Sequence, residues 1–184
     1  MINFDSLQNI TLPQVPGVHD LGSGTPIEAR FTLSIPTETQ TPSDRPVILI
    51  LHYGGEPTPY YGRPLIEQLY LPCWQGLGAI MIAPESFGGK WSDVRNEALA
   101  IQLFKKIATS YEYNSKKTLI TGYSAGAIGS HHIAFNYPEL FSATIPIAGY
   151  PAHLEDLDIP ARFLLSENDE LFPAARFTEF LSNS

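Results

Sequence analysis

The chain has 184 residues, 43% hydrophobic and 16% charged, with no low-complexity tract, a makeup that suits one folded domain over residues 1–184 and excludes a disordered chain. Its 11 Lys and Arg are unclustered and outweighed by 19 Asp and Glu, for a net charge of −8; with so little to neutralise a phosphate backbone, nucleic acid is not an expected partner. The single cysteine, Cys73, excludes an internal disulfide, and no Cys/His cluster suggests a closed zinc site, so no metal or other cofactor is expected.

No apolar run approaches the roughly 18 residues of a membrane helix, so no membrane partner is expected. The start, Met1-Ile2-Asn3-Phe4-Asp5, lacks the basic patch and apolar stretch of a secretory signal. The expected location is the cytoplasm, although a chain from which a signal had been removed would read the same.

In chain order, residues Ile27 to Ile35 alternate apolar and polar side chains, which predicts a strand with one wet face near a sheet edge. A Pro/Thr/Ser loop runs on to Pro46. Val47–Leu51 and Ala79–Ala83 are continuous apolar runs with the length of central strands buried on both faces. Pro64 to Tyr70 is a short helical candidate. From Ser92 to Ser110 apolar residues recur at helical spacing, with Ser92 or Asp93 placed to cap, predicting an amphipathic helix.

Lys117–Thr121 is a strand, and a helix from Ala125 to about Tyr137 follows it. Ala143–Ala148 and Ala161–Leu165 read as two further strands, the first weakened by Pro146, which lacks a ladder donor. Pro173 to Leu181 closes the series as a helix. Strands alternating with helices predict an α/β domain: a mostly parallel wound sheet with helices on both faces.

Between the strand ending at Thr121 and the helix from Ala125 stands Gly122-Tyr123-Ser124-Ala125-Gly126. In isolation this pattern reads as a plain Gly/Ser loop. In a strand–turn–helix context it is a nucleophile elbow, whose strained turn lifts the Ser124 hydroxyl to the carboxyl end of the sheet. Ser124 is therefore expected at positive φ. Ligands of such sheets bind beyond the carboxyl ends of the strands, so two other strand ends matter. His52-Tyr53-Gly54-Gly55 offers backbone N–H groups for an oxyanion hole, one from the Tyr53, Gly54, Gly55 loop joining that of Ala125; its bland reading is a glycine turn. In Ser166-Glu167-Asn168-Asp169-Glu170, Asp169 is the candidate acid, with Glu167 and Glu170 as rivals. Asp169 is expected on the same rim as Ser124, with room between them for an imidazole.

The strand-HYGG loop, the GYSAG elbow and the strand-ENDELFP turn follow one another in the order of the α/β-hydrolase superfamily, which the chain resembles from about Val47 to Pro173. It is most similar to small carboxylesterases of the polyhydroxyalkanoate-depolymerase or feruloyl-esterase type, in which a tryptophan and an aspartate such as Trp91 and Asp93 precede the helix before the elbow. The resemblance implies a serine hydrolase acting on small-molecule carboxylic esters through an acyl-enzyme at Ser124. It also suggests that His52 shapes the oxyanion loop.

The superfamily order ends with a histidine after one more strand, and no histidine follows Asp169. The fold is accordingly expected to be C-terminally shortened. His131 and His132 sit too far along the helix after the elbow, about 10 Å from Ser124 at 1.5 Å per residue. His19 has no positional case. His153, in the loop after the Ala143–Ala148 run, is the admissible substitute. The alternative is a hydrolase-like chain without turnover, serving as a ligand-binding or assembly module. A short Gly149–Pro160 connection leaves no room for a large lid, and Tyr53, Tyr60, Tyr61 and Trp91 are expected to line an open apolar rim suited to small or aryl esters. If Ala161–Leu165 is the last strand, its bare edge should pair with a second copy, be covered by the Pro173–Leu181 helix, or make the chain associate.

Overall fold

In a computed structural model, which describes residues 4–24, 29–37, 41–153 and 156–182, six strands make one sheet. They are β1 (Gly17–Gly22), β2 (Arg30–Ile35), β3 (Val47–Leu51), β4 (Ile80–Pro84), β5 (Thr118–Tyr123) and β6 (Ala143–Ile147), in the order β1-β2-β4-β3-β5-β6. β4, β3, β5 and β6 run parallel, and β1 and β2 pair antiparallel at one side. Every residue of β3 and β4 is buried, as continuous apolar strands require.

Alternate side chains of β3 serve two cores, because successive residues of a strand point to opposite faces. Val47, Leu49 and Leu51 join a cluster with Leu99, Leu103, Phe104 and Ile107 of α3 (Val94–Ser110) and Ile133 of α4 (Ala125–Asn136). Ile48 and Ile50 meet Leu65, Ile66 and Tyr70 on the opposite face. That second layer is α1 (Arg63–Leu65), a π-helical turn (Ile66–Tyr70) and α2 (Leu71–Trp74) in succession. Helices therefore cover both faces, and the sheet is mostly parallel, as expected.

Three expectations are corrected. β1 was not foreseen, since its Gly, His and Asp residues hide the pattern of a strand; it pairs with β2, which stands next to the edge as expected. But β2 is not wet on one face: Thr32 and Ser34 are buried, and the Thr32 hydroxyl donates to Asp20 Oδ1 at 2.8 Å. Its predicted start, Ile27, lies outside the described residues. Third, 161–165 is no regular strand. It touches β6 through two parallel bridges, Thr144 to Ala161 and Ile147 to Leu164.

Pro146 explains the gap in that ladder. Thr144 N–H donates to Pro160 O, Arg162 N–H to Thr144 O, Leu164 N–H to Pro146 O and Ala148 N–H to Leu164 O. The missing rung is the one residue 146 would donate to Arg162 O, and proline has no N–H. The C-terminal helix α5 (Ala174–Ser182) packs beside this segment, whose outer edge is the one away from β6. Its Phe177 ring lies tilted 4.6 Å from that of Phe163, which in turn lies 5.9 Å from the His131 ring of α4. Among the described residues no strand pairs with that edge.

Candidate active site

β5 ends at Tyr123, and the chain turns into α4 through Ser124 at φ 55°, ψ −115°. A positive φ is strained for serine and persists only where surrounding contacts impose it. Here Ser124 N–H donates to Ile147 O at 2.9 Å, while Ser124 O accepts from Ala127 N–H at 2.9 Å and Ile128 N–H at 3.3 Å. The neighbouring backbones press too closely for side chains: a Cβ on Gly122 would overlap Gly126 O, one on Gly126 would overlap Leu51 O, and one on Gly149 would stand 2.5 Å from Ser124 O. The half-buried Ser124 side chain does not cap the helix it starts.

The segment after β3 lies against this turn. A Cβ on Gly54 would sit 3.5 Å from Ala125 Cβ, so Gly54 passes directly beside the first turn of α4, while the Cβ position of Gly55 faces the Tyr61 hydroxyl. The turn is braced from below by His52, which is buried with both ring nitrogens engaged. Its Nδ1–H donates to Tyr53 O at 2.6 Å, and its Nε2 accepts from Ser86 N–H at 3.0 Å. Burial pushes the imidazole pKa below its usual value, outweighing the Tyr53 carbonyl and the Glu85 carboxylate, which act the other way. Neutral His52 is thus a structural post, consistent with the role the resemblance suggested.

The far end of the loop is held by Glu85, which no sequence signal singled out. Its Oε1 accepts from Arg30 Nε at 2.9 Å, and its Oε2 accepts from the N–H of Tyr60, another residue at positive φ (60°). Tyr61 OH then donates to Gly54 O at 3.4 Å. Asn96, also missed, is buried on α3 and orders the 87–90 loop by accepting from Phe87 N–H and donating to the Gly88 and Lys90 carbonyls. A buried polar side chain without a motif gives sequence reading nothing to find.

Trp91 is corrected from rim to core. It is buried, its indole N–H donates to His52 O at 2.9 Å, and its Cβ fills the space that a side chain on Gly129 would need. Tyr53, Tyr60 and Tyr61 do remain partly exposed, and Tyr123 joins them, its ring edge-on to Tyr53 at 6.4 Å. Asp93 is the N-cap residue of α3, but its carboxylate turns back to Lys90 N–H instead of capping the helix.

Asp169 stands beyond 161–165, and the parallel bridge from Leu164 to Ile147 puts its turn at the carboxyl ends of the strands, the same edge as Ser124. Asp169 is half-buried, whereas Glu167 and Glu170 are exposed. Its Oδ1 accepts from Leu171 N–H at 2.9 Å and Phe172 N–H at 2.8 Å, which fixes the carboxylate on the turn.

The histidines sort by their partners. His132 is tied to Glu97 at 2.7 Å, His131 is buried beneath Phe163, and His19 bonds Val15 O from β1. His153 is exposed in a bend on the loop after β6, with no hydrogen bond to Ser124 or Asp169. The structure thus brings Ser124, Ala125 and the Tyr53–Gly55 loop together, with His153 exposed on the loop that follows β6.

Sheet order, the parallel crossovers and the Ser124 turn define an α/β-hydrolase fold. Comparison with known proteins agrees. The chain is 30% identical over 149 residues to the "Probable acetylxylan esterase A" of Aspergillus flavus, a match covering 73% of this chain and 46% of that protein. It superimposes on a thermostable esterase with a TM-score of 0.67 at 20% identity, covering 90% of this chain and 50% of the other. An α/β serine hydrolase without lid from Xanthomonas campestris gives a TM-score of 0.66 at 14% identity, covering 94% and 81%. No protein-family model matches. The chain spans about half the length of the curated relatives it matches.

Proposed function

We propose that this chain is the core of a serine hydrolase of small carboxylic esters. The observation that carries this reading is Ser124 at φ 55° on a turn where glycines allow no side chains, with the Gly54–Gly55 loop against Ala125. In this reading the Ser124 hydroxyl attacks the acyl carbon, and the turn is a nucleophile elbow. The N–H of Ala125 belongs to the first turn of α4, where backbone donors lack helical partners. With an N–H of Tyr53, Gly54 or Gly55 it forms an oxyanion hole that needs no rearrangement as charge develops. Collapse of the tetrahedral intermediate expels the alcohol and leaves an acyl-Ser124, which water then hydrolyses.

A proton must leave Ser124 as it attacks, and in this reading Asp169, on the turn at the same edge, orients the imidazole that takes it. His153 is the histidine we assign to this task, because the other four are committed to backbone, carboxylate or core contacts, and the loop bearing it follows β6 on the Ser124 rim. The test is turnover of 4-nitrophenyl acetate and butyrate. Ser124→Ala should lower kcat/KM by at least about 10³-fold, and His153→Ala by roughly 10²- to 10⁴-fold, the usual share of a general base. An unchanged rate in Ser124→Ala would overturn the reading, and an unchanged rate in His153→Ala would move the base elsewhere.

A further inference from the structure

Beside the Ser124 turn lies a cavity of about 310 Å³ lined by Ile128, Tyr150, Pro151, Ala152, Leu171, Phe172 and Arg176. Four of these residues are tied to the site already described. Ile128 stands one turn into α4 and bonds Ser124 O through its N–H; Tyr150 follows Gly149, which abuts the same carbonyl; Leu171 and Phe172 are the two N–H donors to Asp169. The aromatic wall is built rather than incidental. Tyr150 packs edge-on to Phe172 at 5.4 Å and against Phe177 at 5.0 Å, and its hydroxyl donates to Pro173 O at 3.3 Å. Within this otherwise apolar lining Arg176 is the sole charged residue, and no carboxylate of the described residues pairs with it.

We propose that this cavity is a subsite for a ligand joining a ring-sized apolar body to a carboxylate, with the body against Tyr150, Phe172 and Ile128 and the carboxylate on the Arg176 guanidinium. Resting on the hydrolase reading, this makes the substrate class esters that carry a second, free carboxylate on one arm. Guanidinium suits a planar carboxylate because its N–H groups match both oxygens. An apolar pocket with one oriented charge is the usual form of a small-molecule site. Two features moderate the preference. Arg176 is exposed, so water screens it, and Asp169 and Glu170 add negative charge near the same turn. A gain of roughly three- to tenfold for a carboxylate over its neutral isostere is therefore expected.

The test uses benzoate and benzamide, which share a ring and differ in charge, titrated into the full chain by NMR. Benzoate should bind three- to tenfold tighter than benzamide, shifting resonances of Ile128, Tyr150 and Phe172. The ratio should fall toward one in 1 M NaCl and in Arg176→Met, while Arg176→Lys keeps part of it; melting curves of both variants establish that they fold. In the same samples, the rate at which a fluorophosphonate labels Ser124 should fall as benzoate saturates. Equal binding of acid and amide, or an unchanged ratio in folded Arg176→Met, would overturn the subsite. Labelling that is absent even without benzoate sinks the hydrolase reading instead, whatever the titration shows.

Discussion

At the scale of single residues, His52 and Ser124 show how much of this site is backbone geometry. His52 works only when neutral, because Nε2 must accept the Ser86 N–H. Its folded pKa lies below the unfolded value of about 6.5, so the unfolded chain binds the extra proton more readily. Stability from this group is complete above about pH 6.5 and is lost as pH falls below it, with a slope of up to about 1.4 kcal/mol per pH unit. Thermal melts from pH 7.5 to 5 should show that loss, and His52→Asn should flatten it while lowering stability throughout. A variant with the wild-type slope would refute the assignment. The places of Ser124 and Asp169 were legible because each follows an apolar run in the sequence, so each stands at a strand end. Glu85 and Asn96 were not, because a buried carboxylate and a buried amide that brace loops have meaning only once the loops are folded. Trp91 was misplaced at the rim because sequence gives the nearness of an aromatic residue to a site without its direction.

Among the elements, apolar runs were read well and polar ones poorly. β3 and β4 announce themselves by unbroken burial, and α3 by its stripe. β1 escaped because an edge strand of six residues, partly exposed along its length, needs no alternation. The segment 161–165 was read as a strand from its composition, but strand character depends also on the neighbour's donors, and β6 offers Pro146 at the middle rung. This argues that Pro146→Ala should complete the ladder by supplying an N–H to Arg162 O. Global stability should change little, since the unfolded chain also gains freedom. Local opening should change more: amide exchange at Leu164 and Ala148 should slow by about threefold to tenfold, the worth of one backbone hydrogen bond. Exchange as fast as in the parent would mean that the proline is not what limits the strand.

The whole molecule combines a finished core with an open flank. The outer edge of 161–165 has no paired strand among the described residues, and Leu164 on that segment stands 46% exposed. Such an edge with apolar neighbours favours edge-to-edge contact. Sedimentation of the chain over a hundredfold concentration range should show reversible self-association, weakened in Leu164→Lys; a monomer throughout would show that the flank is quiet. An activated nucleophile at Ser124 is what unites these features, and intact-mass analysis after treatment with a fluorophosphonate tests it most directly. One adduct per chain is predicted, carried by the peptide containing Gly122 to Gly126 and lost in Ser124→Ala. No adduct on the folded chain, or an adduct on another residue, would contradict the claim.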